Sequence, residues 1–236
     1  MTKRAKTDWL ADLDRFYALL DELAERVGGW RQLGHCSGQM AWPERGVYFL
    51  TEPGERRSTA PGARRVVRVG THALKAGARS ALWGRLQQHR GTGSGSGNHR
   101  GSVFRKHAGD ALLEKHGTRG QYPDWGRGQN ASRQVREHER AWETLVSEYL
   151  AQMEVLCLAV EDEPGPDSDR ATLERNAIGL LSHFHEPLDP PSPDWLGLYS
   201  LCPCISLSGL WNVQATLEPY DAGFLDLMGG YVLSPG

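Results

Sequence analysis

Three side chains in this sequence could do chemistry together on the strength of their types and spacing: Tyr48, Arg85 and His89. Tyr48 lies in the apolar run Gly46-Val47-Tyr48-Phe49-Leu50, and Arg85 and His89 lie in Leu82-Trp83-Gly84-Arg85-Leu86-Gln87-Gln88-His89. Between them runs Arg64-Arg65-Val66-Val67-Arg68-Val69-Gly70-Thr71-His72. Arg85 and His89 are four residues apart, so on a helix they share a face and can reach one anion together. A strand tyrosine beside an arginine and a histidine suits phosphate chemistry, because arginine neutralises the phosphate and histidine moves a proton. Taken singly, each has a plainer account. Tyr48 is then a packed aromatic, and Arg85 and His89 a solvated helix face.

The elements that must position these residues follow from hydrophobic period. Residues 8–27 space Trp9, Leu13, Phe16, Leu20, Leu23 and Val27 at helical steps, and Gly28-Gly29 ends the helix. Residues 30–43 read as a loop. A first strand starts at Gly46 and ends by Glu52-Pro53-Gly54; residues 64–69 form a second, so the two make a hairpin with a long loop. Helix 79–90 is stopped by Gly91, and a glycine–serine linker runs from Gly91 to Gly101. Ser102 caps a helix ending near Gly117, and residues 132–152 form a long helix. Glu154–Val160 reads as a strand buried on both faces, followed by helix 169–184 with Leu173, Ala177, Leu180 and Leu181 on its core side. Pro187 to Pro193 is a rigid connection, and the remainder is short elements and turns.

The 236 residues carry a net charge of −2 that is unevenly spread. Residues 55–140 hold 18 Lys and Arg against 6 Asp and Glu, whereas residues 141–236 hold 2 against 15. A basic middle rich in arginine points to a nucleic-acid surface, with Arg64, Arg90, Arg100, Arg105, Lys106 and His99 as candidate contacts. The plain alternative is that the basic middle pairs with the acidic tail inside the fold. No apolar run of eighteen residues exists, which excludes a membrane-spanning helix. Four cysteines are too few for a disulfide scaffold, and a reducing, cytoplasmic setting is the default. Cys202-Pro203-Cys204 with Cys36 and Cys157 lacks the paired spacing of a zinc site.

These residues resemble the GIY-YIG endonucleases. Gly46-Val47-Tyr48 matches the Gly-Ile-Tyr element, and Arg68-Val69-Gly70 stands where Tyr-Ile-Gly belongs. Arg85 matches the family's helical arginine, and His89 is similar to the histidine of its restriction-enzyme branch. Glu174 resembles the metal-binding glutamate, and Asn176 a nearby polar position. The resemblance covers roughly residues 44–90 and 153–184. It implies an α+β fold with a small antiparallel three-stranded sheet flanked by helices. It also implies hydrolysis of DNA phosphodiester bonds, with one Mg²⁺ (or Mn²⁺) on Glu174, Tyr48 as general base or water-orienting group, Arg85 on the phosphate and His89 relaying a proton. The second tyrosine is absent, and its role is vacant or falls to Arg68 or His72.

On this reading residues 1–43 form an N-terminal helical extension and residues 44–184 a nuclease core. Residues 91–152 are a basic helical insertion that grips the duplex, and residues 185–236 a C-terminal extension packed on the core. A bacterial restriction or defence role follows by analogy, and cutting both strands makes a homodimer attractive. The rivals are a catalytically inactive module of the same fold that still binds nucleic acid, and a plain structural or interaction protein.

Overall fold

The computed structural model describes residues 6–92, 96–184 and 187–234. Residues 93–95 of the glycine–serine run and His185 lie outside the described residues. One antiparallel sheet organises the chain, with strands β1 (Arg31–Gln32), β2 (Gly46–Arg56), β3 (Arg64–Gly70) and β4 (Glu154–Ala159) in the order β1-β4-β2-β3. The α+β architecture is as expected, but the sheet has four strands, not three. Part of the expected loop at 30–43 pairs with β4 as a two-residue strand, Arg31 opposite Val155 and Gln32 opposite Glu154.

The central strand β2 is buried on both faces because helices cover both. Val47 and Phe49 point into one core with Leu156 and Leu158, beneath α1 (Lys6–Val27), α5 (Asp169–Leu181) and α7 (Phe224–Leu233). Tyr48 and Leu50 point into a second core with Val155. That core is closed by α2 (Leu82–Arg90), α3 (Val103–His116), α4 (Arg133–Ala151) and, from the C-terminal segment, Trp195, Ile205 in α6 (Pro203–Ser208) and Trp211. The strict alternation of β2 divides the cores, as period-two geometry requires.

Boundaries shift where a local bond outcompetes the pattern. Helix α2 starts at Leu82, not 79, because Ala81 is extended and the Leu82 N–H is taken by the Glu44 carbonyl at 2.9 Å. Helix α5 stops at Leu181, not 184: Ser182 is extended and the His183 N–H bonds the Ser208 carbonyl. Strand β2 runs past Pro53-Gly54 to Arg56, and these two exposed residues sit where the ladder register shifts, a tolerated place for proline. A disulfide joins Cys202 and Cys204 across Pro203, a local staple in a chain with too few cysteines for a disulfide scaffold. No helix among the described residues is long and apolar enough to cross a membrane.

Candidate active site

Two glycines let the hairpin carry a tyrosine at its centre. A Cβ on Gly46 would come within 2.2 Å of the Leu158 carbonyl oxygen, so only glycine permits this close approach of β2 and β4. A Cβ on Gly70 would fall 2.2 Å from the Tyr48 hydroxyl, whose residue is its partner in the ladder. The motif glycines are thus spaces for a neighbouring strand and a phenol, not turn residues.

Tyr48 is fully buried. Its hydroxyl lies 2.8 Å from His89 Nε2 and accepts from Arg68 Nε at 3.4 Å. His89 Nδ1 lies 2.8 Å from the hydroxyl of Ser102, which also caps α3 by accepting the Arg105 N–H. Burial, followed by the nearby Arg68, Arg85 and Arg105, holds the His89 imidazole well below its ordinary range, so it is neutral. His89 therefore leaves the helix face it was expected to share with Arg85. It is inserted in the core, edge-on to Phe104, while Arg85 is half-exposed and bonds Gln88.

A β-bulge aims Arg68. Leu50 pairs with Arg68 but Thr51 pairs with Val66, which leaves Val67 as the extra residue. Val67 and Arg68 then both face the core of Tyr48 and Phe104, as a bulge allows. The guanidinium lies over the Phe104 ring at 4.7 Å, and its Nη1 donates to the Trp211 carbonyl at 2.8 Å.

Arg68, Arg85 and Glu174 meet in one cleft of about 810 Å³, with Thr71, Arg175, Asn212 and Gln214. Exposed Val103 and Val213 add an apolar rim. Glu174 accepts the Thr71 N–H at 3.2 Å through Oε1, and the Thr71 hydroxyl donates to the Gly46 carbonyl. The carboxylate is thereby tied to the hairpin end. Burial raises its pKa, opposed by Arg68, the Thr71 N–H and Arg85. Its Oε2 has no hydrogen-bond partner among the described residues, and no group of three or more His, Cys, Asp or Glu side chains that could hold a metal occurs there. Glu174 and Glu218 are the carboxylates lining the cleft, and a divalent ion held by one of them would complete its shell with water and phosphate oxygens.

The structure also brings in a residue that sequence reasoning missed. Asn212 grips the outer edge of β3 at Val69, accepting its N–H at 3.1 Å and donating to its carbonyl at 2.8 Å. The neighbouring Trp211 N–H bonds the Val67 carbonyl at 2.7 Å. No local pattern marks Asn212, because its partner lies 143 residues away.

Several expected residues lie elsewhere. His72 is buried beside Ser80, and burial with the adjacent Arg170 lowers its pKa to about 4; it does not line the cleft. Asn176 is buried too, donating to the Thr172 carbonyl and accepting the Asp221 N–H, so it anchors the C-terminal segment. Glu174 does not pair with Arg170, which is bound to Asp162. Among the expected nucleic-acid contacts, Arg105 is fully buried and bonds Glu143 and the His89 carbonyl. His99 is buried on Glu143 and stacked on Trp125, Arg100 pairs with Glu139, and Arg64 pairs with Glu154. Arg100 and Arg105 are thus engaged by glutamates of α4 within the fold, and Arg64 by Glu154 of β4 at the surface. Arg90 and Lys106 remain half-exposed.

A family model described as GIY-YIG domain matches residues 7–235. No curated protein and no solved structure matches the chain.

Proposed function

The chain belongs to the GIY-YIG domain family, whose members are nucleases in general, and from that premise we propose that it is a metal-dependent endonuclease cutting DNA at the Arg68–Arg85–Glu174 cleft. The observation that carries this is the convergence of two arginines and one half-buried carboxylate at the hairpin end. Arg85 would bind the scissile phosphate and stabilise the charge that develops on it in the transition state. Glu174 would hold the divalent ion, which supplies Lewis-acid polarisation of the phosphate and a more acidic water. Thr71 keeps Glu174 oriented through its backbone N–H. Arg68, Arg85 and Arg175 face Glu174 and Glu218 across the cleft, a small positive excess that a divalent ion on Glu174 would raise in favour of a polyanion. A restriction or defence role is our reading by analogy with the family branch that shares the helical arginine–histidine pair.

Incubation of supercoiled plasmid with the protein and Mg²⁺, beside Glu174→Ala, tests this. Nicking or linearisation by the wild type, lost in the variant while DNA affinity is kept, is the expected result. Cleavage that survives Glu174→Ala sinks the assignment. One observation favours a second reading, an inactive nucleic-acid-binding module: Tyr48 is sealed from the cleft. No cleavage with salt-sensitive DNA binding would select it.

A further inference from the structure

We propose that Arg68, not Tyr48, meets the scissile phosphate from the hairpin, and that Tyr48, His89 and Ser102 form a buried chain that positions Arg68. The catalytic half of this inference rests on the nuclease reading above; the phosphate contact does not.

Arg68 Nε can only donate, so the Tyr48 oxygen accepts from it. The same hydroxyl shares a 2.8 Å hydrogen bond with His89 Nε2. The other ring nitrogen of His89, Nδ1, shares one of 2.8 Å with the Ser102 hydroxyl. The contacts run from Arg68 through Tyr48 and His89 to Ser102, anchored at the cap of α3.

A general base must reach the proton that it removes. Tyr48 is 0% exposed and its hydroxyl is enclosed by Arg68 and His89, so it has no line to water in the cleft. Arg68 lies between Tyr48 and that space. Three of its features are fixed from behind: Nε on Tyr48, Nη1 on the Trp211 carbonyl, and its face on Phe104. Its Nη2 has no partner among the described residues, and Arg68 lines the cleft with Arg85 and Glu174. A guanidinium locked on two sides, with one nitrogen left over, is a preorganised phosphate donor. The bulge at Val67 is the backbone device that delivers it.

Wild type, Arg68→Ala, Arg68→Lys, Tyr48→Phe and the Arg68→Ala/Tyr48→Phe double variant would be compared in single-turnover cleavage of a DNA duplex. DNA affinity against salt, without divalent ion, and circular dichroism of each variant accompany the rates. Arg68→Ala is expected to lose about 10²–10³-fold in rate, the cost of one such donor, with partial rescue in Arg68→Lys. It also lowers the salt slope of DNA binding by about one. Tyr48→Phe is expected to lose about tenfold or less, to keep the wild-type pH profile, and to add nothing on top of Arg68→Ala. A purely structural Tyr48 would show its cost in both backgrounds. The proposal is overturned if Tyr48→Phe loses about 10²-fold or more with its pH limb abolished, as for a lost general base. It is also overturned if folded Arg68→Ala matches wild type in rate and salt slope. A wild type that never cuts, with the Arg68→Ala slope still reduced, sinks the nuclease reading and upholds the phosphate contact.

Discussion

Gly70 and the hydroxyl of Tyr48 occupy the same space: a Cβ at position 70 would lie 2.2 Å from that oxygen. The two residues are ladder partners, so the glycine of one motif is the socket for the tyrosine of the other. Gly70→Ala is therefore expected to cost about 1–3 kcal/mol through overpacking, with the phenol pushed off His89. Thermal unfolding measures the loss. A variant as stable as wild type would show that the phenol moves freely.

Glu174 gives a stability signature of opposite sign to most site residues. Its carboxyl pKa is raised in the fold by burial, opposed by Arg68 and other partners. The contribution of such a group is fully present below the unfolded pKa and is lost as pH rises through the folded pKa. Charged Glu174 is thus a cost at neutral pH. Glu174→Gln, which keeps an acceptor for the Thr71 N–H, is expected to melt above wild type at pH 7 and to converge with it below about pH 4. If Glu174 holds the cation as proposed, nuclease rate should rise with pH through the same ionisation. A Glu174→Gln variant destabilised at every pH would contradict this.

Arg105 is expected to matter for folding and not for DNA. It is fully buried, with Glu143, Ser147 and the His89 carbonyl as partners. Arg105→Ala leaves Oε2 of buried Glu143 unpaired, with only His99 still on Oε1, and should cost about 3–5 kcal/mol. Its effect on the salt slope, measured well below the melting temperature, should be nil.

Exposed arginines without acidic partners are expected to be the duplex contacts. Arg127, Arg133 and Arg136 are exposed, with no carboxylate within 4.0 Å among the described residues; Arg133 and Arg136 line one depression with Arg140 and Glu137, and Glu137 pairs with Arg140. Alanine at all three is expected to weaken DNA binding without sequence preference and to lower the salt slope by about one per arginine. Arg100→Ala, which loses a Glu139 partner, should leave the slope unchanged. Equal slopes for the two sets would reverse this assignment.

Asn212 closes the open edge of β3. Asn212→Ala removes both bonds to Val69 and should cost about 1–3 kcal/mol, because the N–H and carbonyl it leaves are buried. Hydrogen exchange at the Val69 amide should rise. Unchanged protection there would show that another group takes over.

The sequence by itself determined the hairpin, the helices that follow it, and the arginine and glutamate of the cleft. It could do so because strand and helix periods are local, and because Gly46-Val47-Tyr48, Arg85 and Glu174 sit in order on such elements. What it could not decide is which side chains face outward. Arg85 and His89 share a helical spacing, yet one lines the cleft and the other fills the core, because Tyr48, Ser102 and Phe104 surround the second. The basic middle looked like one surface, yet glutamates on α4 and β4 neutralise Arg100, Arg105 and Arg64. The bulge that turns Arg68 onto Tyr48, and the return of Asn212 to the sheet edge, depend on pairings between distant segments. Burial and partnership are properties of the packed chain, and only tertiary structure assigns them.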